Sequence, residues 1–165
     1  MDLLLILAPR ELPQRDAVVF HGILRAGATA TTINALYTPD EVAHQLHDAG
    51  AKMLFTVSVL LPNAAPGAAK AGVTDVVVLD GAEGYPSLPE LLANDHPVPE
   101  VEINPAEDVA VLPYSSGTTG LPKGVMLSHR NLVSNILQAR ASLEMEEDDV
   151  VIGVLPFFHI YGMTV

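Results

Sequence analysis

The 165-residue sequence contains no cysteine. Disulfides, thiolate metal sites and a cysteine nucleophile are therefore excluded, and a cytoplasmic location fits. Basic residues are scarce: 8 Lys and Arg stand against 20 Asp and Glu, a net charge of −12. Nothing resembles the basic stripe with which proteins hold nucleic acid. No apolar run approaches the roughly eighteen residues of a membrane span. The opening Met1-Asp2-Leu3-Leu4-Leu5-Ile6-Leu7 has no basic leader, too short an apolar stretch and no small-residue cleavage site, so it reads as a buried strand and not a signal peptide. There is no Gly-Lys pair, hence no Walker A loop, and no Gly-x-Gly-x-x-Gly dinucleotide fingerprint.

What is present is a globular composition, 49% apolar and 17% charged. Short apolar runs at Leu3–Leu7, Ala30–Ile33, Met53–Val57, Val76–Leu79, Val109–Leu112 and Val150–Leu155 read as strands. Most are continuously apolar, the pattern of parallel strands buried on both faces. Helices fall between them. One opens at Pro13, with Ala17, Phe20 and Leu24 at helical spacing and Gly27 past its end. Thr38-Pro39-Asp40-Glu41 has the form of a capping box, followed by an apolar face of Val42, Leu46 and Ala49 and a closing Gly50. A third helix follows Ser128 with Leu132, Ile136 and Leu143 on one face, and weaker helices are expected around Asn63–Lys70 and Leu88–Ala93.

Strands alternating with helices predict an α/β fold: a partial doubly wound, mainly parallel sheet with helices on both faces. Residues 1–93 form its first βα portion, 94–108 a proline-containing acidic connector, and 109–165 a further strand, loop, helix and strand. Glu144–Asp149 reads as a solvated turn. His44 and His47 lie three apart, but opposite Val42, Leu46 and Ala49, on the expected solvent face, so no metal site is assigned to them.

The segment Tyr114-Ser115-Ser116-Gly117-Thr118-Thr119-Gly120-Leu121-Pro122-Lys123-Gly124 carries the chemistry. Glycines let backbone N–H groups approach an anion closely. Ser115, Ser116, Thr118 and Thr119 offer neutral donors, Lys123 a compact positive charge, and Pro122 stiffens the approach to it. By composition alone this could be a Ser/Thr/Gly-rich surface turn. Its position just beyond an apolar strand favours a ligand loop, since open α/β sheets bind ligands at strand ends.

The run Leu112-Pro113-Tyr114 through Val125-Met126-Leu127-Ser128-His129 resembles the phosphate-binding signature of the adenylate-forming (AMP-binding) superfamily. Within that superfamily the chain is most similar to 4-coumarate–CoA ligases and related acyl-CoA synthetases. Ile33-Asn34-Ala35-Leu36-Tyr37-Thr38 resembles an upstream segment of the family, with Ala35 where proline is usual, and Leu155-Pro156-Phe157-Phe158-His159-Ile160-Tyr161 resembles the segment bordering the acyl pocket. Tyr161-Gly162-Met163-Thr164 also looks superficially like the family's later adenine-pocket motif, but Val165 stands where glutamate would follow.

The resemblance implies a carboxylate–CoA ligase that forms acyl-AMP and pyrophosphate from ATP, then acyl-CoA. It implies that Ser115, Ser116, Gly117, Thr118, Thr119, Gly120 and Lys123 hold the ATP phosphates, and that His159 and Tyr161 border the acyl substrate. His159 could alternatively cap a strand end, and Tyr161 could be a packed core aromatic. ATP, Mg²⁺ and coenzyme A are the implied cofactors and co-substrates, and an aryl or fatty carboxylic acid the implied partner. No metal ligand and no certain catalytic residue are assigned in this chain. Such enzymes are about three times this long. The expectation is a piece of the large N-terminal portion, inactive alone, whose exposed apolar surface the rest of the enzyme covers. The alternatives are an adenylation domain of a peptide synthetase, and a non-catalytic truncated nucleotide-binding module.

Overall fold

The computed structural model describes residues 3–6, 13–115, 122–143, 148–150, 155 and 158–164. Its strands are β1 (Leu3–Ile6), β2 (Thr29–Thr32), β3 (Ala51–Thr56), β4 (Asp75–Val78), β5 (Val109–Val111), β6 (Tyr114–Ser115), β7 (Lys123–Gly124) and β8 (Leu127–Ser128). Six of them form one sheet in the order β4-β3-β1-β2-β5-β8. The first five run parallel and β8 is antiparallel to β5. β6 and β7 pair separately.

The connections explain the order. Helix α1 (Pro13–Arg25) carries the chain from β1 to β2 on one side of it. Helix α2 (Pro39–Ala49) then carries it back past β1 to β3 on the other side, and α3 (Leu61–Ala71) continues outward to β4. That reversal makes the sheet doubly wound and opens a crevice at the strands' carboxyl ends. Adjacent strand residues face opposite layers. Leu54 and Val76 pack with Val42, Leu46, Ala64 and Ala68 of α2 and α3, whereas Phe55 and Val77 pack with Val19 and Ile23 of α1. Burial on both faces is why these strands are apolar without alternation, each large side chain contributing about 1.5–3 kcal/mol.

The expected fold is the one observed, with differences of detail. The expected stripe on α1 was Ala17, Phe20 and Leu24, but the side chains buried against the sheet are Val19 and Ile23, and Ala17 is exposed. Both stripes have helical spacing, and the face the sheet covers decides between them. The box at Thr38 forms: its hydroxyl accepts from Glu41 N–H, the Glu41 carboxylate accepts from Thr38 N–H at 2.8 Å, and Gly50 closes the helix at φ 65°. A second box, Ser87 with Glu90, starts α4 (Leu88–Leu92). His44 departs from expectation. It is half-buried, with Nε2 shut off from solvent and unpartnered, because α2 is covered on that side as well, while His47 is exposed. Helix α5 (His129–Leu143) forms as expected, yet none of its residues is buried: Ile136 is 46% and Leu143 50% exposed. The expected strand Val150–Leu155 and turn Glu144–Asp149 lie partly outside the described residues. No helix among those described is long and apolar enough to cross a membrane.

Two substitutions at helical glycines separate packing from propensity. A Cβ on Gly67 of α3 would stand 2.6 Å from Val42 Cγ1 and 3.0 Å from the Pro39 carbonyl, whereas one on Gly22 of α1 would meet nothing within 4 Å. Gly67→Ala should cost about 1–3 kcal/mol by overpacking. Gly22→Ala should stabilise by about 0.5–1 kcal/mol. Urea denaturation of both variants checks this.

Asp16, in the first turn of α1, provides a pH test. Its Oδ1 is buried without a partner, and burial pushes the carboxyl from 3.8 up to about 6. A raised carboxyl pKa means that the folded state holds the proton more tightly, so stability is lost as pH rises from about 4 through about 6. Asp16→Asn should therefore stabilise the fold near neutrality by about 1 kcal/mol, once solvent screening of a partly exposed group is allowed for. The gain should vanish toward pH 4, as melting curves across the range will show.

Candidate functional site

β5 feeds the site. Its continuation is held to β2 by Leu112 N–H donating to the Ala30 carbonyl at 2.8 Å. After Pro113 the chain enters β6, which pairs antiparallel with β7, Tyr114 opposite Gly124 and Ser115 opposite Lys123. Val125 N–H then bonds back to the Pro113 carbonyl, and β8 returns along β5. The segment expected to hold phosphate thus starts and ends on a two-stranded pair beside the sheet, with Ser115 opposite Lys123 as its last register pair. Residues directly opposite across such a pair send their side chains to the same face. Ser116, Gly117, Thr118, Thr119 and Gly120 lie outside the described residues. Gly124 is required by close packing: a Cβ there would stand 3.1 Å from Leu112 Cγ and 3.3 Å from Tyr114 Cε2.

A cleft of about 800 Å³ opens beside this root. Thr32 and Asn34 at the end of β2 line it, with Gln45 from α2 and Asn131, Leu132 and Asn135 from the first turns of α5. Phe158, His159 and Tyr161 close another side, at the start of the short helix α6 (Ile160–Thr164). Ser115 lines the same cleft, so the structure brings together the root of the expected phosphate loop and the expected acyl-pocket residues. Neither His159 nor Tyr161 is a core residue; Tyr161 is 54% exposed. His159 Nδ1 accepts from Tyr161 N–H at 3.3 Å, at the start of α6; the strand whose end it was alternatively expected to cap lies largely outside the described residues.

Although the protein carries a net charge of −12, no carboxylate is among the described residues that line this cleft. Ser115 lines it, and Lys123, which does not, is Ser115's partner across the β6–β7 pair; both residues are exposed. The two phenols nearby remain neutral donors. Burial pushes the Tyr37 hydroxyl upward, aided by the Glu41 charge. Burial likewise raises Tyr114 well beyond its usual range, aided by its hydrogen bond to Asp48 and by that residue's charge. The surroundings suit an anionic ligand. Among the described residues, no group of three or more His, Asp or Glu is placed to hold a metal ion.

Several contributors escaped the sequence reading. Tyr114 Oη donates to Asp48 Oδ2 at 2.6 Å, tying the loop root to α2. Asn131, by contrast, belongs to the helix start after Ser128 as its sequence position implies: its N–H donates to Ser128 Oγ and its Oδ1 accepts from Ser128 N–H at 2.9 Å. Gln45 is 2% exposed on the apolar side of α2, between Val42 and Leu46. A polar residue interrupting an apolar stripe was the available signal.

The description "AMP-binding enzyme" matches residues 6–165. The chain is 47% identical over 152 residues to 4-coumarate–CoA ligase 5 of Oryza sativa subsp. japonica, covering 89% of this chain and 28% of that protein. It is 40% identical to 4-coumarate–CoA ligase 2 of Solanum tuberosum, covering 99% and 30%. Among solved structures, a long-chain-fatty-acid–CoA ligase from Archaeoglobus fulgidus superposes with a TM-score of 0.88 at 34% identity, covering 99% of this chain and 32% of that one. ATP-bound MatB from Rhodopseudomonas palustris superposes with a TM-score of 0.80 at 32% identity, again covering 99% and 32%. The chain therefore spans less than a third of the length of these proteins.

The Tyr114–Asp48 bond is testable by a double-mutant cycle. Tyr114→Phe should cost about 1–2 kcal/mol, the value of a hydrogen bond to a charged acceptor. Adding it to Asp48→Ala should cost little more, a non-additivity readable by denaturation.

Proposed function

Because the chain belongs to the AMP-binding enzyme family, we propose that it supplies the phosphate-gripping and acyl-bordering part of a carboxylate–CoA ligase. The observation that carries this reading is the shared cleft. Ser115, paired with Lys123 across the hairpin root, lines the same cleft that His159 and Tyr161 border, and no carboxylate is among its described lining residues.

In the proposed reaction a substrate carboxylate oxygen bonds to the α-phosphorus of ATP, and pyrophosphate leaves. A coenzyme A thiol then displaces AMP to give the thioester. The acid is ionised near pH 7 and needs no general base. The task left to the protein is positioning and neutralisation. Ser115, Ser116, Thr118 and Thr119 donate to the β- and γ-phosphate oxygens, and the loop glycines Gly117 and Gly120 let backbone N–H groups do the same. The Lys123 ammonium follows the charge that grows on the leaving pyrophosphate. Mg²⁺ bound with the nucleotide would supply further charge neutralisation; among the described residues, no group of three or more His, Asp or Glu is placed to hold it. His159 and Tyr161 border an aryl or aliphatic acid. The remainder of the enzyme covers the exposed apolar side chains, Val133 and Leu137 of α5 and Met126 among them.

In a full-length ligase carrying this chain, Lys123→Ala should slow acid-dependent pyrophosphate exchange with ATP by roughly 10²–10³-fold, about 2.7–4 kcal/mol of transition-state stabilisation. An unchanged exchange rate would remove the loop from the mechanism. The 165-residue chain alone should bind Mg-ATP with a dissociation constant of about 1 mM or weaker, some 4 kcal/mol. Mixed with coenzyme A and a panel of aryl and fatty acids, it should release neither AMP nor acyl-CoA.

A further inference from the structure

Strand β2 reads Thr29-Ala30-Thr31-Thr32, and all four residues are buried. Packing alone would be served by valine, whereas a buried hydroxyl must find a partner. Each hydroxyl finds one downstream, two on β5 and its continuation and the third just before α6. Thr29 Oγ1 donates to the Val109 carbonyl at 2.7 Å, Thr31 Oγ1 to the Leu112 carbonyl, and Thr32 Oγ1 to the Phe158 carbonyl at 2.6 Å. Leu112 lies two residues before the loop root at Tyr114, and Phe158 immediately precedes His159. Neighbouring strand residues point to opposite faces, so Thr31 and Thr32 reach the two halves of the site from one strand end.

Gln45 joins the pair. Its Nε2 donates to Thr31 Oγ1 at 3.0 Å and to the Thr32 carbonyl at 3.1 Å. The Thr31 hydroxyl thus receives one hydrogen from Gln45 and gives its own to Leu112, which fixes the direction of the chain of bonds. A buried polar network whose members are satisfied is stiff and specifies one arrangement.

We propose that Gln45, Thr31 and Thr32 are positioning residues that hold the phosphate-loop strand and the acyl-bordering segment in one fixed relation, so that occupancy of the first is transmitted to the second. The proposal rests on the functional reading above for the roles of those two segments. A reacting pair must sit about 3–3.5 Å apart, and a misplacement of about 1 Å costs on the order of 10² in rate. The acid and the nucleotide's phosphates would be held by different segments, and among the described residues β2 hydrogen-bonds to both through its side chains.

The test is amide hydrogen exchange and chemical-shift mapping by NMR on the 165-residue chain. Thr32→Val should speed exchange of the Ile160–Met163 amides at least about tenfold while leaving Leu112–Ser115 unchanged. Thr31→Val should do the reverse, Gln45→Leu should speed both, and Thr31→Ser and Thr32→Ser should restore the wild-type pattern. In the wild-type chain, Mg-ATP should shift amides at Leu112–Ser115 and Lys123–Val125 together with those at Ile160–Met163. In Thr32→Val the first set should persist and the second disappear. Uniform acceleration across the sheet, or no local change, would overturn the proposal, because a merely structural hydroxyl affects global stability alone. Loop shifts in the wild type without any at Ile160–Met163 would also overturn it. If the exchange pattern holds but Mg-ATP shifts no amide, the nucleotide-binding function fails, and transmission with it, while the positioning contact stands. Should Thr32→Val fail to fold, Gln45→Leu, which keeps every threonine, carries the same measurement.

Discussion

The seam between β2 and β5 holds the second part of the chain to the first. Its ladder is short: a single register pair, Ala30 with Val111, followed by the Leu112 bond to the Ala30 carbonyl. A three-residue parallel strand is weakly held by its backbone alone, since parallel pairing is the less stable kind per residue. The threonines of β2 reinforce it with side-chain bonds to Val109 and Leu112 on either side of that pair. The loop root, β8 and the start of α5 all take their place from β5, so an error at this seam would reach each of them.

Helix α2 backs the same region. Its first turn is locked by the Thr38–Glu41 box, and its buried face carries Val42 and Leu46 into the core. From the adjoining part of its surface Gln45 reaches β2 and Asp48 reaches Tyr114. One rigid element thereby touches both the strand beneath the site and the strand that enters the loop. The acids of this helix serve other ends: Asp40 meets Lys70 of α3 at 2.6 Å, and Glu41 is occupied by its cap. Among the described residues, the acids nearest the site are occupied in this way, and hydroxyls and amides line the cleft that would meet an anion.

The parallel sheet was legible because doubly buried strands are continuously apolar, as Met53–Val57 and Val76–Leu79 are, and such runs have few other uses. The start of α2 was legible because a capping box is local chemistry, and Ser87-Leu88-Pro89-Glu90 carried the same signal more faintly over a five-residue helix. The face of α1 was not legible. Ala17/Phe20/Leu24 and Val19/Ile23 satisfy helical spacing equally, and only the sheet, assembled from distant segments, selects one. The two-residue strands β6, β7 and β8 are too short for any periodicity and exist because the loop folds back on itself. The loop's chemistry was readable from its residue order. The supports at Thr31, Thr32, Gln45 and Asp48 were not, since a threonine in a strand or a glutamine in a helix has no single meaning until its partner, 13 to 126 positions away, is in place.

Helix α5 shows how the cleft wall is kept ordered despite poor burial. An isolated helix of about 15 residues is marginal in water, and α5 buries none of its own. Val133, Ile136 and Leu137 stand exposed at spacings of three and four, an apolar face with nothing described against it. What secures the helix is its first turn. Ser128 and Asn131 cap each other, Arg130 N–H donates to the Pro105 carbonyl at 2.7 Å, and His129 N–H reaches the Asp108 carbonyl. Nucleation is the costly step of helix formation, so anchoring the first turn stabilises those that immediately follow. The residues that α5 contributes to the cleft are Asn131, Leu132 and Asn135, all within two turns of that anchor. The cleft wall is thus built from the half of α5 that the sheet holds directly, and its geometry depends least on whatever layer covers the distal apolar face.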